Sequence, residues 1–413
     1  MITLNSFSKK MNYVGYFFIT GMNNKTNEFT CGLLINQEVL QIGSFSDGMS
    51  EEEKKALTEI VRKNKSSIKG SFIHIEPGIV VELTFKGIIS DKLTNPVFQQ
   101  FRTDLSWTVC TKGQLILLNK NVKKEVTITN PDKPLWQSPV IVKDQYICYL
   151  HDISPFMLPF LHDRILTVRR YPHGVSGEVF YQKNCPEYAP PFIRTHMEDD
   201  INYIVCENLS SLLWLGNQLA LEFHIPFQLL HDNYPREIVF DLDPPSREDF
   251  SLAVVAAMEM KKLFDKFNII SFPKLSGNKG LQVHVPLATS PISYEDTRVF
   301  TSFIAHYLVE TQPDLFTVER MKKNRGNRLY IDYVQHWHGK TIIAPYSTRG
   351  REGATVAAPL FWKEVDENLN PDDYHLFSVL ERVRTVGCPF AHYFEEKNED
   401  LLEVIDSLKN KQD

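Results

Sequence analysis

The chain has 413 residues, of which 43% are apolar and 23% charged, a composition that favours folded cores and argues against wholesale disorder. No apolar run approaches the roughly 20 residues that a membrane helix needs, and the net charge of −6 argues mildly against a nucleic-acid-binding protein. The six cysteines form no Cys-x-x-Cys pair, which argues against a zinc knuckle and favours a reducing cytoplasm.

Residues 1–110 are predicted to form a small β-rich domain. Ser50 and Glu53 have the spacing of a capping box, which predicts that a helix begins there. Five strands with one interposed helix suit an OB-type barrel, with any other small β-rich domain as the open alternative. The strand-like runs are Tyr13–Ile19, Phe29–Leu34, Val39–Ile42, Phe72–Ile75 and Ile79–Phe85.

Residues 111–125 are predicted to be a linker, and residues 126–413 to form a mixed α+β domain with an acidic helical tail. The predicted helices are Asp144–Leu161, Leu209–Glu222, Arg247–Phe267, Tyr294–Glu310 and Asp373–Thr385. The predicted strands are Leu166–Arg170, Ile201–Val205, Glu237–Leu242, Leu281–Pro286, Arg328–Val334 and Thr341–Ala344.

Two carboxylates end the apolar strand that begins at Glu237. Because residues two apart on a strand point to the same face, Asp241 and Asp243 should converge on one point. Carboxylates that close repel unless a cation lies between them, and their hard oxygens favour Mg²⁺ or Mn²⁺ over zinc. An Asp-Pro turn that caps the strand is the alternative for this pair taken alone.

A third carboxylate, Asp332, lies in another strand-like run. Three carboxylates at neighbouring strand ends suit a site for two metal ions that organises in-line attack on a phosphate. An edge-strand aspartate that faces water is the alternative.

Candidate anion ligands come from two further segments. In Lys274-Leu-Ser-Gly-Asn-Lys-Gly-Leu-Gln282, glycines flank Ser276 and Lys279, so that backbone N–H groups can curl round an anion. The spacing is not that of a Walker loop, and a plain connecting turn is the alternative. Arg349 could bind a triphosphate bidentately. It belongs to a segment, residues 320–351, with eight Lys or Arg and one acid.

Other residues suit nucleic acid or remain ambiguous. Arg169 and Arg170 lie near the aromatic rings of Phe180 and Tyr181, on which bases could stack. Lys133 and Lys143 could jointly hold one phosphate. His224 is expected to end the helix that begins at Leu209, where a structural role is the more common one.

These strings together resemble the polymerase domain of bacterial DNA ligase D, within the archaeo-eukaryotic primase superfamily. The resemblance extends from about Val126 to Leu401 through TNPDKPLW, LTVRRYPHGV, VFYQKN, LALEFHIP, IVFDLDPP, KLSGNKGLQ, YIDYVQ and KTIIAPYSTRGR. It implies a primase-polymerase fold and template-dependent addition of ribo- or deoxynucleotides during gap filling in non-homologous end joining. It also implies two Mn²⁺ or Mg²⁺ ions, two-metal phosphoryl transfer and a location in the cytoplasm at the nucleoid.

The resemblance also implies a role for each motif residue. The metal-binding and catalytic carboxylates would be Asp241, Asp243 and Asp332. The nucleotide-binding residues would be His224, Ser276, Lys279, Gln282 and Arg349, although many relatives have histidine where this chain has Gln282, which places that contact in doubt. The DNA-binding residues would be Lys133 and Lys143 at a 5′-phosphate, with Arg169, Arg170, Phe180 and Tyr181.

Residues 1–110 resemble the OB domain of the ATP-dependent ligase half. No Lys-x-Asp-Gly adenylation motif exists in the 413 residues, so no ligase activity is expected from this chain alone. The expected partners are DNA ends and gapped duplex with a 5′-phosphate, nucleoside triphosphates, a Ku homodimer and a separate adenylation domain. The alternatives are a catalytically silent DNA-end-binding scaffold for Ku and ligase, and a metal-dependent nuclease.

Overall fold

The computed structural model describes residues 13–35, 38–111, 114–115, 126–287 and 292–410. Most of the predicted linker 111–125 lies outside these described residues. The chain divides into a first unit, residues 1–133 with 142–148, and a second unit, residues 134–141 with 149–413. Among the helices that the described ranges contain, none is both long enough and apolar enough to cross a membrane.

The first unit contains an antiparallel sheet in the strand order β3-β2-β1-β5-β4, in which β1 also pairs with β6, and β6 with β9. This sheet fits the OB-type barrel predicted for this part of the chain. Its strands are β1 Tyr13–Asn23, β2 Glu28–Ile35, β3 Glu38–Phe45, β4 Lys65–Lys69, β5 Phe72–Ile75, β6 Val80–Phe85 and β9 Val97–Phe101, while β7 Gly87–Ile89 and β8 Lys92–Thr94 pair with each other as a separate hairpin. The structure therefore adds strands that the sequence did not predict, and β4 has no buried residue that could have indicated it.

Helix α1, Glu51–Lys63, belongs to the first unit and begins where it was predicted. The backbone N–H of Glu53 donates to Ser50 Oγ at 3.2 Å, and the backbone N–H of Ser50 donates to Glu53 Oε2 at 2.8 Å. Both bonds of the capping box are present, and they satisfy donors that a helix end leaves unpaired. Leu57 and Val61 turn inward and pack in the core with residues such as Phe17.

The remaining helices and strands alternate along the rest of the chain, as the α+β prediction required. The helices are α2 Lys143–Leu161, α3 Leu209–Asn217, α4 Ser251–Lys266, α5 Tyr294–Thr311, α6 Leu376–Val386 and α7 Asp400–Lys409. The strands are β10 Pro134–Gln137, β11 Val140–Val142, β12 Thr167–Arg170, β13 Phe180–Gln182, β14 Arg194–Glu198, β15 Ile201–Val205, β16 Ala220–Pro226, β17 Glu237–Asp243, β18 Phe272–Leu275, β19 Leu281–Pro286, β20 Phe316–Thr317, β21 Leu329–Asp332 and β22 Thr341–Ile343.

Two sheets of the second unit hold most of the predicted site residues. One has the order β18-β19-β17-β21-β20, antiparallel except for the pair β20 and β21, and we call it the acid-bearing sheet. The other has the antiparallel order β13-β12-β16-β22. Helices α4 and α5 pack against β17 of the acid-bearing sheet.

The predicted helix Leu209–Glu222 is wrong in its last turns. Helix α3 ends at Asn217, Leu219 has a left-handed backbone with φ of 66°, and the chain continues as strand β16. Strand β16 pairs on both sides, with β12 and β22. His224 therefore lies on a central strand and not at a helix end. The apolar run was compatible with either structure, and the tertiary pairing decided it.

Candidate active site

The three predicted carboxylates lie together on the acid-bearing sheet. Asp241 and Asp243 belong to β17, and their spacing of two places both side chains on the same face. Asp332 of β21 is the antiparallel register partner of Asp241, so its side chain lies on that face as well. Asp243 and Asp332 are 89 positions apart in sequence, but the strands that carry them are adjacent in the fold.

Burial and neighbouring charge change the pKa values of Asp241 and Asp332. Burial raises the pKa of Asp241 to about 6, and the charges of Asp332 and Asp243 add to the increase, while a hydrogen bond from Gln282 opposes it. Burial and the charge of Asp243 also raise the pKa of Asp332, against a hydrogen bond from Tyr330. Clustered acids with raised pKa values gain from a bound cation, because the cation relieves their repulsion.

Two cationic side chains lie against the Asp243 carboxylate. Lys279 Nζ is 2.9 Å from Asp243 Oδ1, and Arg325 Nη1 is 3.4 Å from Asp243 Oδ2. The guanidinium carbon of Arg325 lies 3.8 Å from the centroid of the Tyr330 ring. The sequence identified Arg325 only as one of eight basic residues, since nothing local to it indicated contact with an aspartate 82 residues away.

The segment from Ser276 to Gly280 forms a tight turn between β18 and β19. Ser276 N–H donates to the Gly280 carbonyl at 2.9 Å, and Ser276 Oγ accepts from the backbone N–H groups of Asn278 and Gly280 at 3.2 and 3.1 Å. Gly277 has φ of +70°, a conformation that side chains rarely adopt. The turn is therefore held by its own hydrogen bonds, and Ser276 Oγ already accepts from two backbone N–H groups within it.

Gln282 lies between a buried lysine and a carboxylate, on the same face of the sheet. Lys274 and Gln282 are register partners, as are Gln282 and Asp241. Lys274 Nζ donates to Gln282 Oε1 at 2.5 Å, and Gln282 Nε2 donates to Asp241 Oδ1 at 3.0 Å. The oxygen and the nitrogen of the Gln282 amide therefore both have protein partners, which argues against a direct contact of this side chain with a triphosphate.

Arg349 and His224 meet at a buried acid that the sequence reasoning missed, Glu222 of β16. Arg349 Nη1 donates to Glu222 Oε2 at 3.0 Å, and His224 Nε2 lies 3.0 Å from the same oxygen. Arg349 Nε also donates to the Ser276 carbonyl at 2.8 Å, which joins this group to the Ser276 turn. Burial lowers the pKa of His224 despite the Glu222 carboxylate. Because the sequence placed Glu222 in a helix, it gave no signal for this role.

The predicted DNA-binding residues of the second unit lie on β12 and β13. Arg169 and Tyr181 are register partners, and the guanidinium carbon of Arg169 lies 5.1 Å from the Tyr181 ring centroid. Tyr181 is 72% exposed and Phe180 45% exposed, which leaves both rings open to a stacking base. Arg170 is held by the Gln218 carbonyl, to which its Nε donates at 2.7 Å.

The two predicted phosphate-binding lysines lie together in the first unit. The backbone N–H of Lys143 donates to the Lys133 carbonyl at 2.8 Å, and Lys143 Nζ donates to the Thr129 carbonyl at 2.6 Å. Burial, with the charge of Lys133 in support, lowers the pKa of Lys143 to about 8. Two ammonium groups whose charges repel each other gain from a bound anion, because the anion offsets that repulsion.

A cavity of about 580 Å³ adjoins Asp332. Its lining includes Arg298, Arg320, Arg325 and Lys340, so part of the basic segment found in the sequence surrounds this space. A second cavity of about 660 Å³ lies around Glu237, at the other end of β17 from Asp243. Of these two cavities in the described part of the chain, the first is lined by a predicted site residue, Asp332.

A separate group of possible metal ligands lies at the surface of the second unit. His162, Asp163 and Glu207 each place a ligand atom within 4.8 Å of the others. Arg194 donates to both carboxylates and thereby compensates their charge. None of the three was predicted as a site residue, and their arrangement is that of a surface ion-pair network.

Comparison with known proteins identifies similar chains. Residues 142–390 match the family described as LigD, primase-polymerase domain. The chain is 44% identical over 397 residues to the bifunctional non-homologous end joining protein LigD of Bacillus subtilis, which covers 96% of this chain and 65% of that protein. It is 34% identical over 273 residues to the multifunctional non-homologous end joining protein LigD of Mycolicibacterium smegmatis, which covers 64% of this chain and 35% of that one. It therefore spans less than two thirds of each relative.

A solved structure gives the same result for the fold. The polymerase domain from Mycobacterium tuberculosis ligase D in complex with DNA matches with a TM-score of 0.61 at 30% identity, covering 66% of this chain and 98% of that chain. The mixed sheets with packed helices are thus those of a primase-polymerase domain, as the sequence predicted.

Proposed function

The chain belongs to the LigD primase-polymerase family, and we propose that it is a template-dependent nucleotidyltransferase that fills gaps at DNA ends during non-homologous end joining. The observation that supports this most directly is the grouping of Asp241, Asp243 and Asp332 on one sheet face, with Lys279 joining that face to the Ser276 turn. Nucleotidyl transfer needs such a pairing of acids with a phosphate-binding turn.

The three aspartates fit a site for two divalent ions, Mn²⁺ or Mg²⁺. Their oxygens are hard ligands, and the pKa of Asp241 is raised first by burial and then by the charges of Asp332 and Asp243, a repulsion that a cation would relieve. When bound, such ions would supply charge stabilisation at the reacting phosphate and lower the pKa of a primer hydroxyl. Asp243 would first have to exchange contacts, since Lys279 and Arg325 now lie against it.

The incoming triphosphate is proposed to lie along the Ser276 turn. Lys279 and Arg349 would neutralise its charge, and Ser276 and His224 would supply hydrogen-bonding groups. Arg349 already donates to the carbonyl of Ser276, so these residues face a common region. We assign no direct phosphate contact to Gln282, because its amide bonds to Lys274 and Asp241.

The proposed DNA substrate is a gapped duplex with a 5′-phosphate. Lys133 and Lys143 would bind that phosphate, and Phe180 or Tyr181 would stack on a template base. Arg169 and Arg170 would support the template side. Ribo- and deoxynucleotides are both proposed substrates.

We further propose that residues 1–110 are a ligase-type OB domain, joined through residues 111–125 to a polymerase domain of residues 126–413. Nick sealing would require an adenylation domain with a Lys-x-Asp-Gly motif, which these 413 residues do not contain. A Ku homodimer and such an adenylation domain are the proposed protein partners.

Extension of a labelled primer on a gapped duplex, with Mn²⁺ or Mg²⁺ and with ribo- or deoxynucleotides, tests the proposal. We expect lengthening that depends on both the template base and the metal. DNA binding with no lengthening under any combination would instead support the scaffold alternative, and primer shortening would support the nuclease.

A further inference from the structure

Glu222 is a buried carboxylate to which five groups bind. Its side chain is 2% exposed. Arg169 Nη1 donates to both carboxylate oxygens at 3.0 and 3.1 Å, and Tyr171 Oη donates to Oε1 at 2.7 Å. The backbone N–H of Gly350 donates to Oε1 at 3.1 Å, and Arg349 and His224 bind Oε2. A carboxylate with this many donors stays ionised despite burial.

These partners belong to both sides of the proposed site. Arg349 and His224 are proposed triphosphate ligands, and Arg349 also binds the Ser276 carbonyl. Arg169 lies beneath Tyr181, a ring proposed to stack on the template. One side chain therefore contacts residues that serve the nucleotide and a residue that supports the template.

A second buried glutamate, Glu237, offers a comparison, because both members of its ion pair are buried. Glu237 binds Arg164 Nη1 at 2.5 Å and Tyr393 Oη at 2.8 Å, and both Glu237 and Arg164 are 2% exposed. The side-chain partners of Glu222 differ, since Arg169, His224 and Arg349 are 26%, 19% and 17% exposed. Glu222 thus holds groups that are partly open to solvent, whereas the partner Arg164 of Glu237 is almost fully buried.

We propose that Glu222 is a positioning residue of the polymerase site, which fixes Arg349 and His224 for the triphosphate and Arg169 beneath the template-stacking Tyr181. The proposal rests on the proposed polymerase function. It predicts that nucleotide binding and template binding weaken together when the carboxylate is lost.

A role of Glu222 through its charge and a role in positioning its partners predict opposite effects of Glu222→Gln. If Glu222 acted only through its charge, its removal would leave Arg349 and Arg169 uncompensated, and polyanionic ligands would bind more tightly. If Glu222 acts by positioning its partners, the glutamine amide of the variant cannot accept hydrogen bonds from all five groups. Arg349 and Arg169 then lose their fixed geometry. We expect the nucleotide KM to rise about tenfold with kcat changed by about threefold or less, and the DNA Kd to rise by about fivefold or more.

The experiment measures steady-state extension and DNA binding for wild type, Glu222→Gln and the matched control Glu237→Gln, each as the full chain. The control should keep the wild-type nucleotide KM and DNA Kd, whatever its melting temperature. Tyr171→Phe removes one donor to Glu222 without changing charge, and it should raise the nucleotide KM by about twofold to threefold. This variant keeps the test available if Glu222→Gln does not fold.

The outcomes separate the two levels of proposal. Absence of extension by the wild-type protein under every condition would reject the polymerase function itself. Extension by wild type, with unchanged or tighter ligand binding by Glu222→Gln, would reject the positioning role alone, as would a wild-type KM for Tyr171→Phe. A rise in the nucleotide KM with an unchanged DNA Kd would reject the template half of the proposal.

Discussion

The sheet of the first unit and the acid-bearing sheet of the second bury different kinds of side chain. In strands β1 to β9, all of them described, the buried polar residues are Thr20 and Thr30, whose hydroxyls bond to each other at 2.8 Å. Strands β17 to β19 bury Glu237, Lys274, Gln282 and other polar groups. A neutral pair that satisfies itself costs little to bury, whereas an ionised group is expensive unless it is paired.

This contrast separates a sheet built by apolar packing from a sheet that also carries buried charge. The first sheet is stabilised by apolar packing, so the volume of each core side chain decides how well it fits. The second buries charged side chains in positions that packing alone would fill with leucine or valine, and each has a polar partner, Arg164 for Glu237 and Gln282 for Lys274. Substitutions should therefore have opposite consequences in the two sheets.

The largest effect is expected for Asp241→Asn. Loss of a carboxylate that we propose to bind metal should reduce extension by about a thousandfold or more. The same change should stabilise the metal-free protein by about 1–2 kcal/mol at pH 7.5, because the raised pKa of Asp241 means that its charged form is disfavoured by folding. Primer extension and urea unfolding measure the two effects, and a variant that extends at the wild-type rate would contradict the site assignment.

A core substitution in the first sheet should instead lower the free energy of unfolding. Phe17 is fully buried, so Phe17→Ala should lower the free energy of unfolding by about 3–4 kcal/mol through lost burial and an unfilled cavity. The control Ile68→Ala, at a side chain 58% exposed on β4, should cost about 1 kcal/mol or less. Denaturant unfolding measures both, and equal losses would contradict the packing argument.

The lysine pair should show a ligand-specific effect of intermediate size. Lys133→Ala combined with Lys143→Met should reduce the preference for gaps with a 5′-phosphate by about tenfold, since two cations that face one phosphate are lost. Lys69→Ala, at an exposed lysine of the same unit, should leave that preference unchanged. Binding to gaps with and without the phosphate provides the measurement, and an equal loss on both substrates would indicate general DNA binding.

The smallest effect is expected in the pH dependence of stability. Burial, with the charge of Arg349, lowers the pKa of Lys274 to about 7, well below its ordinary value. The unfolded chain therefore binds more protons than the folded one above pH 7, so this group makes stability rise as the pH rises toward 10. Lys274→Met should flatten that rise by about 1 kcal/mol. Urea midpoints at pH 7 and pH 9 test it, and an unchanged slope would contradict it.

Local sequence signals predicted the parts of the fold that depend on near neighbours. The Ser50 capping box and the strand that ends in Asp241 and Asp243 are each contained in a few residues, and both are confirmed. The end of α3 was missed because the left-handed backbone at Leu219 interrupts an apolar run that reads as helix. Strand β4 was missed because no burial pattern marks it.

The candidate site was predictable only as far as its motifs extend. The grouping of Asp332 with Asp241 was expected from their strand ends, and the register places them side by side. The contacts of Glu222 with Arg169 and Arg349 join residues 53 and 127 positions apart. No periodicity or spacing encodes contacts of that range, so only the fold reveals them.

The close fit between Gly350 and Tyr171 restricts how this part of the site can evolve. A Cβ at position 350 would lie 1.9 Å from the Tyr171 ring, so a hydrogen fits between the Gly350 backbone and the ring but a methyl group does not. Family members with a larger residue at this position should have a smaller one at the position of Tyr171, since the two sites share one volume. Such paired replacement would connect positions 171 and 350 in the evolutionary record, as their shared hydrogen-bond acceptor, Glu222, connects them in space.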